Sequence, residues 1–444
     1  MDLKNKKITV IGMGRSGIAA ANFLANRKAQ VTLMDQKKRK DMEEAVRQLS
    51  PAVQTRFESS TLAGDEDLII LSPGVDINSS YLAPSRKRGV PIWSEVELAC
   101  RFNTSPIIAV TGTNGKSTCT TLIGEILQAA GKSVRVGGNL GTPFISLVDR
   151  ETPDFLVLEI SSFQLEAVER FHPKISLVLN ITPDHLDRHK TLDAYVALKK
   201  RISENQTDAD FLILNQDDPN TRNLGQSSRA KKLFFSATTD VEEGAFLTKN
   251  SLMVRGNATE KKVCNLDDLN QVMQWQIENV LAASLASSLL DIPLEIIGET
   301  LKQFTGMEHR MEWVRTYQGV DFVNDSKGTN VGAVQKSLQS FQRPIVLIAG
   351  GKDKDSDFLP LKPAFKQKVK HLILIGESKP KFREILNGSF SYEEANSMEE
   401  AVRQAAKNAA SGDVVLLSPG CASFDMFKDY ADRGEQFKSI VRQL

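Results

Sequence analysis

IIAVTGTNGKST, residues 107 to 118, is the stretch that decides how this 444-residue chain is read. An apolar, β-branched run (Ile107, Ile108, Val110) ends in a glycine-rich turn, and Lys116, Ser117 and Thr118 open a helical pattern through TTLIGEILQAA to Gly131. Strand, glycine turn and helix in that order make a phosphate-binding loop. The first N–H groups of a helix lack partners within it and carry partial positive charge, so they suit an anion. Gly112 and Gly115, with Thr113 and Asn114 between them, let those donors close on phosphate oxygens. Lys116 then reaches the terminal phosphates of a nucleotide, and a hydroxyl from Ser117 or Thr118 binds Mg2+. Val110 stands where the longer GxxxxGK[ST] pattern has its first glycine, so this is the shorter form GxxGKS.

Composition narrows the partners. Lysine plus arginine total 56 against 55 aspartate plus glutamate, a net charge of +1, so nothing points to nucleic acid or an anionic membrane. Cys100, Cys119, Cys264 and Cys421 are far apart and form no CxxC pair, which argues against a zinc site or a disulfide framework and fits a reducing compartment. No run approaches the roughly 18 apolar residues of a membrane span, and MDLKNKKITVIG at the start lacks a leader pattern. The expectation is a soluble cytoplasmic protein with no membrane partner, working as a monomer. At 41% hydrophobic and 25% charged residues, the length allows about three globular domains.

Three α/β segments follow one another. KITVIG, a glycine turn (Gly12, Gly14, Gly17 in GxGxxG), IAAANFLANRK and VTLMD, within residues 7 to 35, open a Rossmann-like domain that closes its second strand on Asp35. DLIILSPGV (67 to 75) adds a strand, and this domain is expected over 1–95. The second domain, expected over 96–306, carries the phosphate loop and the strands FLVLE (155 to 159), ISLVLN (175 to 180) and FLILN (211 to 215), a P-loop ATPase-like, mainly parallel sheet. Residues 225 to 265 read as peripheral strands and loops, and the helix around 275 to 290 as apolar on one face. A third, Rossmann-like α/β domain over 307–444 has the strands VDFVND, PIVLIAGG, HLILIG and DVVLLSPG.

Glu159 ends its strand near the mouth of the phosphate loop, where a carboxylate can hold Mg2+, since hard cations take oxygen ligands. The plain alternative is a strand-end glutamate facing solvent. His185, in TPDHLDRH (182 to 189), is either a second metal ligand or a loop histidine among aspartates. GxGxxG with Asp35 is equally what an NAD-dependent oxidoreductase shows, but that reading leaves TGTNGKS without a role. A nucleotide-binding regulator would leave the metal and acceptor residues without one.

Taken together, TGTNGKST, LEISSFQLE, NITPDHLDRH, GMEHRME, NDSKGTN and LSPGCASFDMFKDYADRGEQF resemble the Mur ligases of peptidoglycan synthesis, across all three segments in order. The last motif is similar to the branch that adds D-glutamate to UDP-N-acetylmuramoyl-L-alanine, and it argues against sibling ligases and folylpolyglutamate synthetases. No DNPR-like segment is present. The resemblance implies an ATP-dependent amide-forming ligase in which ATP phosphorylates the substrate carboxylate and the D-glutamate amine attacks the acyl phosphate.

By the same resemblance, Lys116, His185 and Lys199 are catalytic, and Ser117, Glu159, His185 and Lys199 hold metal, with Mg2+ at two sites. Lys199, four residues after Tyr195, matches the lysine that carries a carbamate in the family; alone it would read as a surface lysine. Gln276 and Asn279 would meet adenine, although Trp275-Gln276 replaces the family's His-Asn. Arg310 and Asp325 match residues on the nucleotide's phosphates and ribose. Gly14, Arg15 and Ser16 would face the diphosphate of the UDP substrate, with Asp35 near uracil, Ser72 and Gly74 at the rim and Asn139 on the sugar side. Lys327, Thr329, Lys354, Ser423 and Tyr430, the last often Phe in the family, would receive D-glutamate. Hinges for domain closure are expected near 95 to 105 and 300 to 310.

Overall fold

The computed structural model describes residues 1–444 except 149–150, 257–258, 354–355, 387 and 389. The chain forms two compact units, one of Met1–Ile181, Thr191–Val263 and Leu281–Ile297, the other of Thr182–Lys190, Cys264–Val280 and Gly298–Leu444. No helix among the described residues is long and apolar enough to cross a membrane.

The first unit holds a five-stranded sheet in the spatial order Gln54–Arg56, Gln30–Met34, Lys7–Ile11, Leu68–Leu71, Ile92–Ser94, parallel throughout. Val10 sits opposite Leu33 and Ile70, and all three are fully enclosed. Strands covered on both faces need apolar side chains on both, which is why these read as unbroken apolar runs. A nine-stranded sheet begins at its edge with Val134–Gly138, absent from the sequence reading, followed by Phe155–Glu159, Ile107–Thr111, Ile175–Val178 and Phe211–Asn215. The 225–265 region then supplies Lys231–Ser236, Gly244–Thr248, Ser251–Gly256 and Thr259–Asn265. Pairing turns antiparallel between Gly244–Thr248 and Ser251–Gly256. The far edge is mostly exposed and carries Glu260, Lys261 and Lys262, charges that discourage another chain from pairing there.

These two sheets share one apolar core, which includes Leu24, Val96, Phe144, Leu158 and Leu165. The Glu95–Cys100 helix, hinge ground in the sequence reading, is bonded firmly in place. Ser94 N–H donates to Ala167 O at 2.8 Å. The Glu97 carboxylate, wholly enclosed, accepts from Glu169 N at 2.8 Å, Arg170 N at 2.9 Å and Arg101 Nε at 2.8 Å. A buried carboxylate that satisfies two backbone donors and a guanidinium fixes the chain instead of letting it bend. Glu97→Ala is therefore expected to destabilise the protein by about 3 kcal/mol, because three donors lose their acceptor at once. A urea melt checks this, and an unchanged midpoint would count against the junction.

The second unit is built on a six-stranded sheet ordered Glu312–Tyr317, Val320–Asn324, Val414–Leu417, Ile345–Gly350, Val369–Ile375, Tyr392–Glu394, antiparallel only in its first pair. Side chains alternate between its faces, as strand geometry requires. Leu347, Leu372 and Leu416 meet Val334, Phe365 and Phe382 on one face. Val346, Ile348, Ile373 and Val415 meet Val402, Ala405, Phe437 and Val441 on the other. The Ile277–Ser288 helix is not apolar on one face alone, since Val280 through Ser287 are all buried.

Candidate active site

The phosphate loop leaves the Ile107–Thr111 strand, which lies between Phe155–Glu159 and Ile175–Val178. Gly115 caps the Lys116–Ala129 helix with φ at 84°, a left-handed conformation that glycine reaches without a Cβ clash. Lys116 Nζ donates to Gly112 O at 2.9 Å and Thr113 O at 2.8 Å, lying along its own loop. Asn180 clamps the turn from outside. Its Oδ1 accepts Asn114 N–H at 2.8 Å, its Nδ2 donates to Asn114 O at 3.1 Å, and its carbonyl accepts Thr113 N–H at 2.8 Å.

Of the two hydroxyls left open by the sequence, Ser117 is the one engaged with the carboxylate. Ser117 Oγ donates to Glu159 Oε2 at 2.5 Å, and Asn139 Nδ2 donates to Glu159 Oε1 at 2.6 Å. Thr118 Oγ1 is buried with no hydrogen-bond partner among the described residues. Lys199 is enclosed, while adjacent Lys200 is exposed. Lys199 Nζ donates to Gly112 O at 2.7 Å and Thr111 Oγ1 at 3.4 Å, and it lies 4.6 Å from the Tyr195 ring centroid. The Tyr195 hydroxyl is 3.3 Å from Thr113 Oγ1. The helix Leu192–Lys200 thus presents Tyr195 and Lys199 to the loop from one face, as an i, i+4 pair must.

In the same unit, the crevice of the five-stranded sheet lies where Lys7–Ile11 and Leu68–Leu71 run side by side and the connections lead to opposite edges, the usual ligand position in such sheets. A Cβ on Gly17 would lie 1.9 Å from Gly12 O, so the helix can approach the turn only with glycine there. Ser72 Oγ donates to Gly12 O at 2.7 Å. Asp35 accepts Met13 N–H at 2.8 Å and Lys37 N–H at 2.9 Å, which sets the turn and the end of the second strand. Gly14, Arg15 and Gly74 are exposed and Ser16 is half-buried. Arg15 Nη1 reaches Gly141 O at 3.2 Å, which brings the GxGxxG turn to the GGNLG segment that carries Asn139.

In the second unit, His185 is half-exposed at φ 54°, with its ring centroid 6.4 Å from that of His189. Its loop is held by Asn330 Nδ2, which donates to Asp184 Oδ2 at 3.0 Å. Asn279 Nδ2 donates to Gln276 Oε1 at 3.4 Å, and Gln276 Nε2 donates to Arg310 O at 3.4 Å. Trp275 packs against Phe341 at 4.8 Å. Asp325 is buried and accepts Ser337 Oγ at 2.7 Å and Ser418 Oγ at 2.9 Å. Burial pushes its carboxyl up to about 6, with those hydroxyls and Arg310 pulling the other way.

Lys327 Nζ lies 3.4 Å from the Tyr430 ring centroid, a cation–π contact. Thr329 is half-buried near it in the chain, and Ser423 is buried at the turn where its carbonyl accepts Phe427 N–H at 2.9 Å. Lys354 lies outside the described residues. Beside Arg310, burial holds the His309 imidazole below its ordinary pKa, and Asn324 Nδ2 lies 3.0 Å from its Nδ1. Asn180, Asn330 and His309 were not singled out from sequence, although each stands inside a motif already quoted (NITPDH, NDSKGTN, GMEHR). Amides and a histidine inside loops that carry chemistry were the available signal.

Three family models match the chain: the Mur ligase MurD-like N-terminal domain over residues 6–94, the Mur ligase middle domain over 110–287, and the Mur ligase glutamate ligase domain over 309–421. The UDP-N-acetylmuramoylalanine--D-glutamate ligase of Thermoanaerobacter sp. (strain X514) is 43% identical over 454 residues, covering 100% of each chain. Its namesake from Koribacter versatilis (strain Ellin345) is 41% identical, covering 100% of this chain and 99% of its own. Among solved structures, the MurF ligase from Thermotoga maritima in complex with ADP shares the fold, with a TM-score of 0.60 at 17% identity over 100% of this chain and 99% of its own. Matched from end to end at such identity, the chain belongs to the Mur ligase family.

Proposed function

We propose that the chain is an ATP-dependent ligase that joins D-glutamate to UDP-N-acetylmuramoyl-L-alanine through an acyl phosphate, releasing ADP and phosphate. One observation carries the chemistry. Ser117 and Asn139 both bond the Glu159 carboxylate at the mouth of a loop whose Lys116 is poised along it. The likeness to D-glutamate ligases over the whole chain supports the choice of amino acid.

A carboxylate resists an amine because oxide is a hopeless leaving group, whereas phosphate leaves readily. Two anions must first be aligned, so positive charge and backbone donors have to be concentrated there. In this reading the N–H groups of Gly112, Gly115, Ser117 and Thr118 surround the phosphates, Thr113 and Asn114 shape the turn through their bonds to Asn180, and Lys116 turns from its loop carbonyls onto the terminal ones. Gln276 and Asn279 serve adenine by their amides, and Arg310 and Asp325 the phosphate and ribose side. The oxygen atoms of Ser117 and Glu159, already converging at 2.5 Å, fit Mg2+, with His185 and a carbamylated Lys199 as further ligands at two sites. Bound there, Mg2+ would draw charge from the phosphate oxygens. A carbamate on Lys199 would turn an enclosed cation into an anion suited to that metal.

Gly14, Arg15, Ser16, Asp35, Ser72, Gly74 and Asn139 receive the UDP end, and Lys327, Thr329, Lys354, Ser423 and Tyr430 the D-glutamate carboxylates. The functional division follows 1–95, 96–306 and 307–444. As a precursor ligase the protein works in the cytoplasm, and as a monomer, which light scattering would check. Phosphate release should require ATP, UDP-N-acetylmuramoyl-L-alanine and D-glutamate together; release at the full rate without D-glutamate would sink the reading.

A further inference from the structure

Glu95 is the first residue of the Glu95–Cys100 helix, is 1% exposed, and is not among the residues assigned above to nucleotide, metal or substrate. Its Oε1 accepts Ile145 N–H at 2.6 Å, and its Oε2 has no hydrogen-bond partner among the described residues. A carboxyl buried with one bond is an expensive way to fill space that an apolar side chain would fill more stably. Burial pushes it up to about 7, with the Ile145 bond pulling the other way.

The donor explains what the arrangement does. Ile145 lies in the short helical turn Phe144–Ser146, whose first N–H groups have no partner of their own. That turn closes the segment 138–147, whose other end and middle are held by further hydrogen bonds. Asn139 bonds Glu159 through both its side chain and its N–H, at 2.6 Å and 2.8 Å. The Gly141 carbonyl receives Arg15 at 3.2 Å, Gly138 N–H donates to Thr142 O at 2.8 Å, and Arg135 Nη1 donates to Leu147 O at 2.6 Å. One segment thus links the glycine turn of the five-stranded sheet to the carboxylate beside the phosphate loop. Glu95 fixes its far end.

We infer that Glu95 is a positioning residue for the UDP-linked substrate, holding the 138–147 segment so that Asn139 and the Gly141 carbonyl stay in register with Glu159 and Arg15. The inference rests on the ligase reading for the identity of that substrate. Without the Ile145 anchor the segment loosens where it faces Arg15, while the phosphate loop keeps its own clamp at Asn180.

The test compares Glu95→Met, which keeps the volume and removes the acceptor, with Glu95→Gln, whose amide oxygen can take the same N–H without charge. Glu95→Met should raise the KM for UDP-N-acetylmuramoyl-L-alanine about tenfold, with kcat and the KM values for ATP and D-glutamate within about twofold, a loss of uniform binding for one substrate only. Glu95→Gln should restore wild-type values. Hydrogen exchange of 138–147 should quicken in Glu95→Met and not in Glu95→Gln. An unchanged KM, or an equal rise for all three substrates, would overturn the inference, and Glu95→Ala read in the same way decides the matter should the Met variant not fold. Failure of the wild type to bind UDP-N-acetylmuramoyl-L-alanine in a calorimetric titration would strike the ligase reading instead, leaving the anchoring role to be judged by exchange.

Discussion

Alanine at Lys116 is expected to lower the rate of phosphate release by at least about a thousandfold, roughly 4 kcal/mol of barrier, while the protein stays folded. The ammonium now sits on the Gly112 and Thr113 carbonyls and is half-buried, so its loss forfeits two hydrogen bonds at a site where water can replace them. That costs stability only about 1 kcal/mol. The same ammonium is the side-chain cation of the loop itself, and in the proposed reaction it meets the charge developing on the transferred phosphoryl group more directly than the loop's N–H dipoles can. Arginine should not substitute, because its planar fork cannot lie along the loop as a point charge does. Phosphate release and a thermal melt on the same preparation check both halves. Activity within about tenfold of wild type would remove the loop from the reaction.

Lys199→Ala is expected to cost about a hundredfold or more in turnover, with part of it recovered by adding acetate, formate or propionate. The reasoning is spatial. Lys199 is enclosed against Tyr195 and the Gly112 carbonyl, so alanine opens a cavity that a small carboxylic acid can enter to stand in for a carbamate. Lys199→Met fills the space and removes the nitrogen; it should be as inactive as the alanine variant and should not respond to acid. Normal turnover of Lys199→Ala without added acid would reject the carbamate, and equal rescue of both variants would show that the acid acts elsewhere.

The strand, glycine turn and helix of the phosphate loop and the strand-end place of Glu159 were legible because each depends on local order, whereas Lys199 read alone as a surface lysine and was singled out by the family resemblance, with the four-residue spacing from Tyr195 choosing it over Lys200. The choice between Ser117 and Thr118 was not legible. Neighbouring positions on a helix diverge by about 100°, and only the placement of the Phe155–Glu159 strand says which hydroxyl meets the carboxylate. The bonds that hold the stretch 95 to 105, expected as a hinge, were illegible for a related reason. Glu95 and Glu97 are buried, and one oxygen of each accepts backbone N–H groups far along the chain, Ile145 for Glu95 and Glu169 and Arg170 for Glu97. Such partners are set by tertiary folding, about which a local charge pattern says nothing. Trp275, which replaces the family's His, packs its ring against the apolar core beside Phe341. The edge strands after residue 230 were blurred by lysines and threonines, which an open sheet edge tolerates and a central strand does not.

The apolar core common to the first two sheets has a thermal corollary. Heat should take both apart in one cooperative step, so a ligand that binds the folded form at either sheet shields the other from melting by mass action. A nucleotide held at the phosphate loop, as proposed, would make the five-stranded sheet harder to melt as well.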